Sequence, residues 1–194
     1  MNTTLWLASA SPRRRTLLEG AGYQVEVRPS HAPEDLLPGE APNTTARRLA
    51  ALKCDAVPSD RVAVAADTLV HLDGVVLNKP VDRAEARAHL THLSGRWHEV
   101  TTGVCVRYGA ASHTFAVSTA VRFRELTAGE IDAYIGTGEA DDKAGAYGIQ
   151  GLGGGLVAEV RGSWTNVMGL PVEEVIAALR DLGGAPLEAA RVHP

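Results

Sequence analysis

Four short stretches of this chain hold residues whose types and spacing could do chemistry. The first is Ser9-Ala10-Ser11-Pro12-Arg13-Arg14. Ser11 suits a helix cap and Pro12 a first helical position, so the stretch reads as a tight turn into a helix N-terminus. Unpaired N–H groups and the helix dipole favour an anion there, and two arginines add bidentate donors for phosphate oxygens. Cations oppose the dipole at that end, so an anion would account for them; the alternative is an exposed basic turn. The second is Asp67-Thr68, which follows the apolar run Val62–Ala66. A carboxylate at the carboxyl end of a strand is placed to hold a metal or act as a base, or else only to cap its own turn. The third, Asn78-Lys79-Pro80, puts a lysine on a loop stiffened by proline, to be weighed against a solvated surface lysine. The fourth is Asp142–Gly155, where Lys143, Tyr147 and Gln150 stand among glycines that let backbone approach a ligand closely. It fits neither the dinucleotide fingerprint nor the P-loop, and a flexible linker is its alternative.

Lysine usage ranks these candidates. Of 19 basic residues only Lys53, Lys79 and Lys143 are lysine. Where arginine serves almost everywhere else, a retained lysine points to a need for a compact ammonium, against the alternative of chance survival. Cys54 and Cys105 lie in no metal or redox spacing and read as small core residues of a reduced protein. His89 and His92 are three apart on a predicted helix with no third ligand nearby, and read as helix surface rather than a metal site.

These groups need a scaffold that brings distant segments together. Leu5–Ala8 reads as a buried strand, followed by a helix from Pro12 to near Gly22 and an alternating strand at Tyr23–Arg28. Residues 29–43, rich in proline and acidic side chains, read as a loop carrying Glu34, Asp35 and Glu40. A helix fits Thr45–Val57, and Val62–Ala66 is a strand expected to end at Asp67. Thr68–Leu72 and Val75–Leu77 flank the hairpin signal Asp73-Gly74. Asp82 with Glu85, and Thr127 with Glu130, open helices that end at Leu93 and near Gly136. The clearest alternation runs through Val100, Thr102, Val104, Val106 and Tyr108, then through Phe115, Val117, Thr119, Val121 and Phe123. Val157–Val160 reads as a strand, Val172–Leu182 as a helix closed by Gly183, and residues 186–194 as a frayed tail. The expectation is one α/β domain over residues 1–194 with a mixed twisted sheet flanked by helices.

Composition bounds what such a domain could do. The 194 residues are 45% hydrophobic and 22% charged, ordinary for a globular chain and unlike a disordered one. A net charge of −4 gives no general attraction for nucleic acid or an anionic membrane, though a local basic pocket is compatible with it. The apolar runs are far shorter than the ~20 residues of a membrane span. Leu5–Ala10 imitates a signal peptide only loosely, because Arg13, Arg14 and Arg15 follow the apolar stretch instead of preceding it.

Taken in order, Ser9–Arg14, Ala66-Asp67-Thr68, Lys79-Pro80, Ser94-Gly95 with His98–Gly103, the Asp142–Gly151 run and Asn166–Pro171 resemble the Maf family. These are nucleoside triphosphate pyrophosphatases, also known as septum-formation inhibitor proteins. The resemblance covers roughly residues 5–182. It implies an elongated, two-lobed α/β fold related to the inosine-triphosphate pyrophosphatases, a divalent cation (Mg²⁺ or Mn²⁺), a cytoplasmic location and, as often in the family, a homodimer. The expectation of no nucleic-acid or membrane partner rests on the charge and the short apolar runs. Arg after Ser-Pro and the segment Ile149-Gln150-Gly151 are similar to the branch acting on dTTP and UTP, modified pyrimidine nucleotides included. The resemblance therefore implies Asp67 as proton acceptor, Lys79 as a second catalytic group, and Glu34 with Asp67 as cation ligands. Substrate would meet Ser9, Arg13, Arg14, Lys53, Thr68, Lys143 and Gln150, with Arg13, Thr68 and Gln150 setting specificity. Asn78 stands where the family usually has Gly, and Pro33-Glu34-Asp35 where it has Asp-Glu; counting from Gly22 favours Glu34 as the matching carboxylate. Two alternatives stand beside this reading: another base preference such as 7-methyl-GTP, and a non-enzymatic regulator of cell division.

Overall fold

The strongest alternation in the chain becomes its longest hairpin, Trp97–Tyr108 (β5) and Ala111–Phe123 (β6). The computed structural model describes residues 4–58 and 60–182; the predicted Gly183 helix stop and frayed tail lie outside the described residues. In chain order the other elements are Thr4–Leu7 (β1), Pro12–Gly20 (α1), Gln24–Val27 (β2), Pro42–Asp55 (α2), Ala63–Leu72 (β3), Val75–Leu77 (β4) and Arg83–Leu93 (α3). After β6 come Ala128–Gly136 (α4), Val157–Arg161 (β7), Trp164–Met168 (α5) and Val172–Asp181 (α6). The strands form one seven-stranded mixed sheet in the order β2-β1-β3-β5-β6-β7, with β4 added to β3. Only the β1 pairings are parallel.

Local chemistry explains most boundaries. Ser11 accepts from the Arg14 N–H and Asp82 from the Glu85 N–H, while Thr127 and Glu130 form a reciprocal capping box. Two expected boundaries move and one alternative falls. The strand predicted to stop at Asp67 runs on to Leu72, because Asp67 pairs with Gly103 in the β3–β5 ladder and its polar side chain only resembles a turn. Helix α2 begins at Pro42, three residues before the predicted start, on a proline-first turn with no side-chain cap. The glycine-rich run is not a linker: it holds two short 3-10 turns, Ala144–Ala146 and Gly151–Leu156.

Strand alternation sorts the interior. On one sheet face Val64, Ala66, Val104 and Val106 pack with Leu5, Leu7, Leu18 and Leu179 into one apolar cluster. On the same face, farther along, Val70, Val100, Val121 and Phe123 pack with Leu90, Leu93, Ile131 and Tyr147 into another. Between them lies a polar seam of Thr68, Thr102, Thr119 and Asn166, the last three fully buried. The opposite face carries α2 over small residues, Ala63, Ala65 and Cys105.

His98 sits deep in the second cluster, 2% exposed, with Nε2 2.7 Å from the Tyr147 hydroxyl. Its ring stands edge-on to Phe123 and Tyr147. Burial pulls its pKa down to about 4. The unfolded chain, with the ordinary value near 6.5, then binds a proton the folded protein refuses, so the stability from this residue is present above pH ~6.5 and lost as pH falls toward 4. Urea unfolding of wild type should lose about 2 kcal/mol more between pH 7 and pH 4.5 than that of His98→Gln. Equal losses would mean that the buried imidazole does not govern the acid limb.

Candidate active site

Strand β3 lacks a neighbour along part of one edge. β1 reaches only Ala63 and Val64, and β4 joins only from Val70 onward. Asp67 and Thr68 lie in this gap, beyond the carboxyl end of β1 rather than at the end of their own strand. The turn after β1, the start of α1 and the loop after β4 fold around it. The Asn78 carbonyl accepts from the Gly145 N–H, which ties the Lys79 loop to the Lys143 segment. The result is a cavity of about 600 Å³. All ten residues to which the resemblance assigned a site role line it: Ser9, Arg13, Arg14, Glu34, Lys53, Asp67, Thr68, Lys79, Lys143 and Gln150.

Asp67 and Thr68, adjacent in a strand, face opposite sides of the sheet, and each side is built differently. On the α2 side, the Lys53 ammonium donates to Asp67 Oδ1 at 2.5 Å and to Glu34 Oε1 at 2.7 Å. Both Lys53 and Asp67 are only 7% exposed. Partial burial pushes the Glu34 carboxyl up, but Lys53, with Lys79 and Arg14 nearby, outweighs it and holds the group below the ordinary carboxylate value. Gly103 makes this contact attainable. It pairs with Asp67, and a Cβ there would lie 2.0 Å from the Ala46 carbonyl oxygen, so its bare backbone lets α2 lie directly on β5. Lys53 is seven residues, about two turns, beyond Ala46 and leans back toward it, as helical side chains do.

On the other side the Arg14 guanidinium is spread over three acceptors: Ser9 Oγ at 2.9 Å, Thr68 Oγ1 at 2.9 Å and the Gly169 carbonyl at 2.8 Å. Burial lowers its pKa, and Asp67 works against that shift. Lys143 donates to Asp142 and to the Glu139 carbonyl. Arg13 and Lys79, by contrast, make no hydrogen bond or ion pair among the described residues. Ala146, beside Tyr147, holds a left-handed backbone at φ 60°, a conformation that costs a non-glycine residue energy and tends to cluster at functional sites. Five cations face three carboxylates across the cavity, a locally basic site in an acidic chain that would draw in a polyphosphate.

Glu34 and Asp67 converge on one ammonium, so both carboxylates reach a single cation position. Magnesium is commonly held by one or two carboxylates, with phosphates and waters completing the shell. The pair fits a cation delivered with a polyphosphate. It does not make a self-sufficient metal site, and no three His, Cys, Asp or Glu side chains gather into one among the described residues.

Thr102, Asn166 and Gly103 were not assigned roles from the sequence. Thr102 gave a signal: it is a hydroxyl at an inward position between Val100 and Val104, the one polar side chain in the run Val100, Thr102, Val104, Val106. The importance of Gly103 depends on where α2 lies and could not be read locally.

Comparison with known proteins finds relatives over nearly the whole chain. A dTTP/UTP pyrophosphatase of Anaeromyxobacter dehalogenans (strain 2CP-C) is 52% identical, over 94% of this chain and 96% of its own length. Proteins of the same name from Syntrophotalea carbinolica and Neisseria gonorrhoeae are 46% and 40% identical over 95% and 94% of this chain, covering 87% and 96% of their own lengths. The solved Ham1 protein of Staphylococcus aureus overlays 80% of each chain at 15% identity and a TM-score of 0.48. The family model described as Maf-like protein matches residues 4–182, and with relatives this similar over nearly the full length, the chain belongs to the Maf family.

Proposed function

We propose that this protein is a nucleoside triphosphate pyrophosphatase that hydrolyses dTTP and UTP between the α- and β-phosphates. The observation that carries the reading is the cavity in which a buried carboxylate, Asp67, faces cations that include Arg13 and Lys79, both without a partner among the described residues. The names of the relatives support the same activity. Hydrolysis at that bond builds charge on departing pyrophosphate and needs one water held in line. Arg13 and Lys79 offer free donors for phosphate oxygens, and such positioning and electrostatics supply most of the catalysis in phosphoryl chemistry. Asp67 accepts the proton of the attacking water. Lys53 orients Asp67 through their direct contact, and Arg14 braces the turn that presents Arg13. A divalent cation, held by Glu34 and Asp67, would neutralise charge on the phosphates when bound. Gln150 reads the base: its carboxamide N–H can donate to a ring carbonyl, where Glu could only accept.

The resemblance further supports a homodimer acting in the cytoplasm, in the removal of unwanted or modified pyrimidine nucleotides and with a link to cell division. Among the described residues no helix is long and apolar enough to cross a membrane, and Cys54 and Cys105 are free and buried. The test is product analysis with Mg²⁺ or Mn²⁺ across dTTP, UTP, CTP, GTP and 7-methyl-GTP. Monophosphate plus pyrophosphate from dTTP and UTP is expected. Diphosphate plus orthophosphate would move cleavage to the γ-phosphate, preferential turnover of 7-methyl-GTP would change the base assignment, and no turnover at all would favour the regulator.

A further inference from the structure

A chain of hydrogen bonds runs from the polar seam to the cavity wall. Arg14 Nη2 donates to Thr68 Oγ1 at 2.9 Å, the Thr68 and Thr102 hydroxyl oxygens are 2.9 Å apart, and Thr102 Oγ1 donates to the Asn166 carbonyl at 3.1 Å. Asn166 is itself fixed: its Nδ2 donates to the Val100 carbonyl at 2.9 Å and to Thr119 Oγ1 at 3.0 Å. A guanidinium can only donate, a carbonyl can only accept, and each threonine has one proton. Thr102 is fully buried, so water offers its proton no alternative. Turning that proton onto Thr68 would leave two oxygen lone pairs opposed at 3.1 Å. The arrangement that satisfies all three contacts therefore runs in one direction, from Arg14 to Thr68 to Thr102 to Asn166. Thr68 Oγ1 also lies 3.5 Å from the Gly169 carbonyl, which already accepts from Arg14 Nε at 2.8 Å. A proton sent there would leave the Thr68 and Thr102 lone pairs opposed at 2.9 Å. Thr68 therefore spends its proton inward and keeps a lone pair on the side that lines the cavity.

We propose that Thr102 is a positioning residue for base selection: it makes Thr68 an acceptor toward the cavity, so the site favours a base that presents a ring N–H. This rests on the reading of the cavity as a site for uracil and thymine nucleotides. Those bases carry a hydrogen at N3, whereas cytosine carries a lone pair there, which would oppose the lone pair of Thr68. With Thr68 taking the ring N–H, Gln150 gives its own N–H to the neighbouring ring carbonyl. Thr102 touches no substrate; it acts by consuming the proton that Thr68 would otherwise offer.

The experiment is kcat/KM for UTP and for CTP on wild type, Thr102→Val and Thr102→Ser, with Tm measured for each. Valine keeps the shape and removes the acceptor, so the Thr68 proton turns to the outer side, toward the cavity and the Gly169 carbonyl at 3.5 Å, and the lone pair kept there in the wild type is lost. The wild type should prefer UTP by about tenfold or more, and Thr102→Val should cut that preference about tenfold through a loss on UTP and a gain on CTP. Thr102→Ser, which keeps the hydroxyl, should keep the wild-type ratio. A residue that only braces the sheet would lower both nucleotides by one factor, so an unchanged ratio in folded Thr102→Val overturns the proposal. Should valine prevent folding, Thr102→Ala is read in the same way, and a collapsed ratio in folded Thr102→Ser overturns it as well. Failure of the underlying reading appears elsewhere, in wild type alone, as no pyrophosphate from UTP or no preference for UTP over CTP. The proposal then falls with it.

Discussion

Asp67→Asn should lower kcat on UTP by ~10²–10⁴ while the protein stays folded. The substitution keeps size and hydrogen-bonding reach and removes the charge, so it separates a carboxylate that accepts a proton or holds a cation from one that only fills space. The surroundings decide how cleanly it does so. Lys53 loses one of two carboxylate partners but keeps Glu34 at 2.7 Å, so no uncompensated charge is buried. The β3–β5 ladder through Asp67 and Gly103 uses backbone groups that the change does not touch. Tm should therefore move by only a few degrees, since about 1 kcal/mol corresponds to ~2–4 °C for a chain of this size. Turnover on UTP together with a melting curve decides the matter. A folded variant with near-normal kcat would reduce Asp67 to an orienting partner for Lys53 and transfer the search for a proton acceptor to Glu34, the other carboxylate on that ammonium.

Local and distant information divide sharply in this chain. Asp73-Gly74, Asp82 with Glu85, and Thr127 with Glu130 were legible because each is a contact within four residues, and each forms as its chemistry requires. The members of the cavity were legible as residue types and as motifs of a family. Their division of labour was not. Arg14 reads as a phosphate donor beside Arg13, yet it is engaged by Ser9, Thr68 and Gly169, the last of these 155 positions away, while Arg13 is free of partners among the described residues. Asp67 reads as a strand terminus because its side chain is polar, yet β3 runs through it and it is β1 that stops short, a fact about a neighbouring strand that its own flanking residues cannot carry. Helix α5 is five residues long and closes on Gly169 in a left-handed conformation, too short for any periodicity to register.

Gly103→Ala tests the tightest of these distant dependencies and should damage stability and turnover together. The added Cβ would meet the Ala46 carbonyl oxygen at 2.0 Å, its carbon at 2.1 Å and the Arg47 nitrogen at 2.6 Å. All three are backbone atoms, so no side chain can swing aside. α2 must instead lift by about 1 Å or more to restore ordinary contact, and overpacking of that kind costs roughly 1–3 kcal/mol or more. That corresponds to a fall in Tm of several degrees. The same lift draws Lys53 away from Asp67, because the two are joined only across the α2–β3 interface at 2.5 Å. A displacement of ~1 Å in a catalytic constellation can cost about a hundredfold in rate. Gly129→Ala serves as the control: it lies in α4 with no atom within 4 Å of the new Cβ and should leave both quantities near wild type. If Gly103→Ala melts like wild type and turns over UTP normally, α2 tolerates the displacement and its close approach does not hold the Lys53–Asp67 pair. If Tm falls while turnover is retained, the glycine serves packing alone. Loss of both supports the view that one missing side chain on β5 sets the position of the ammonium that orients the carboxylate opposite it.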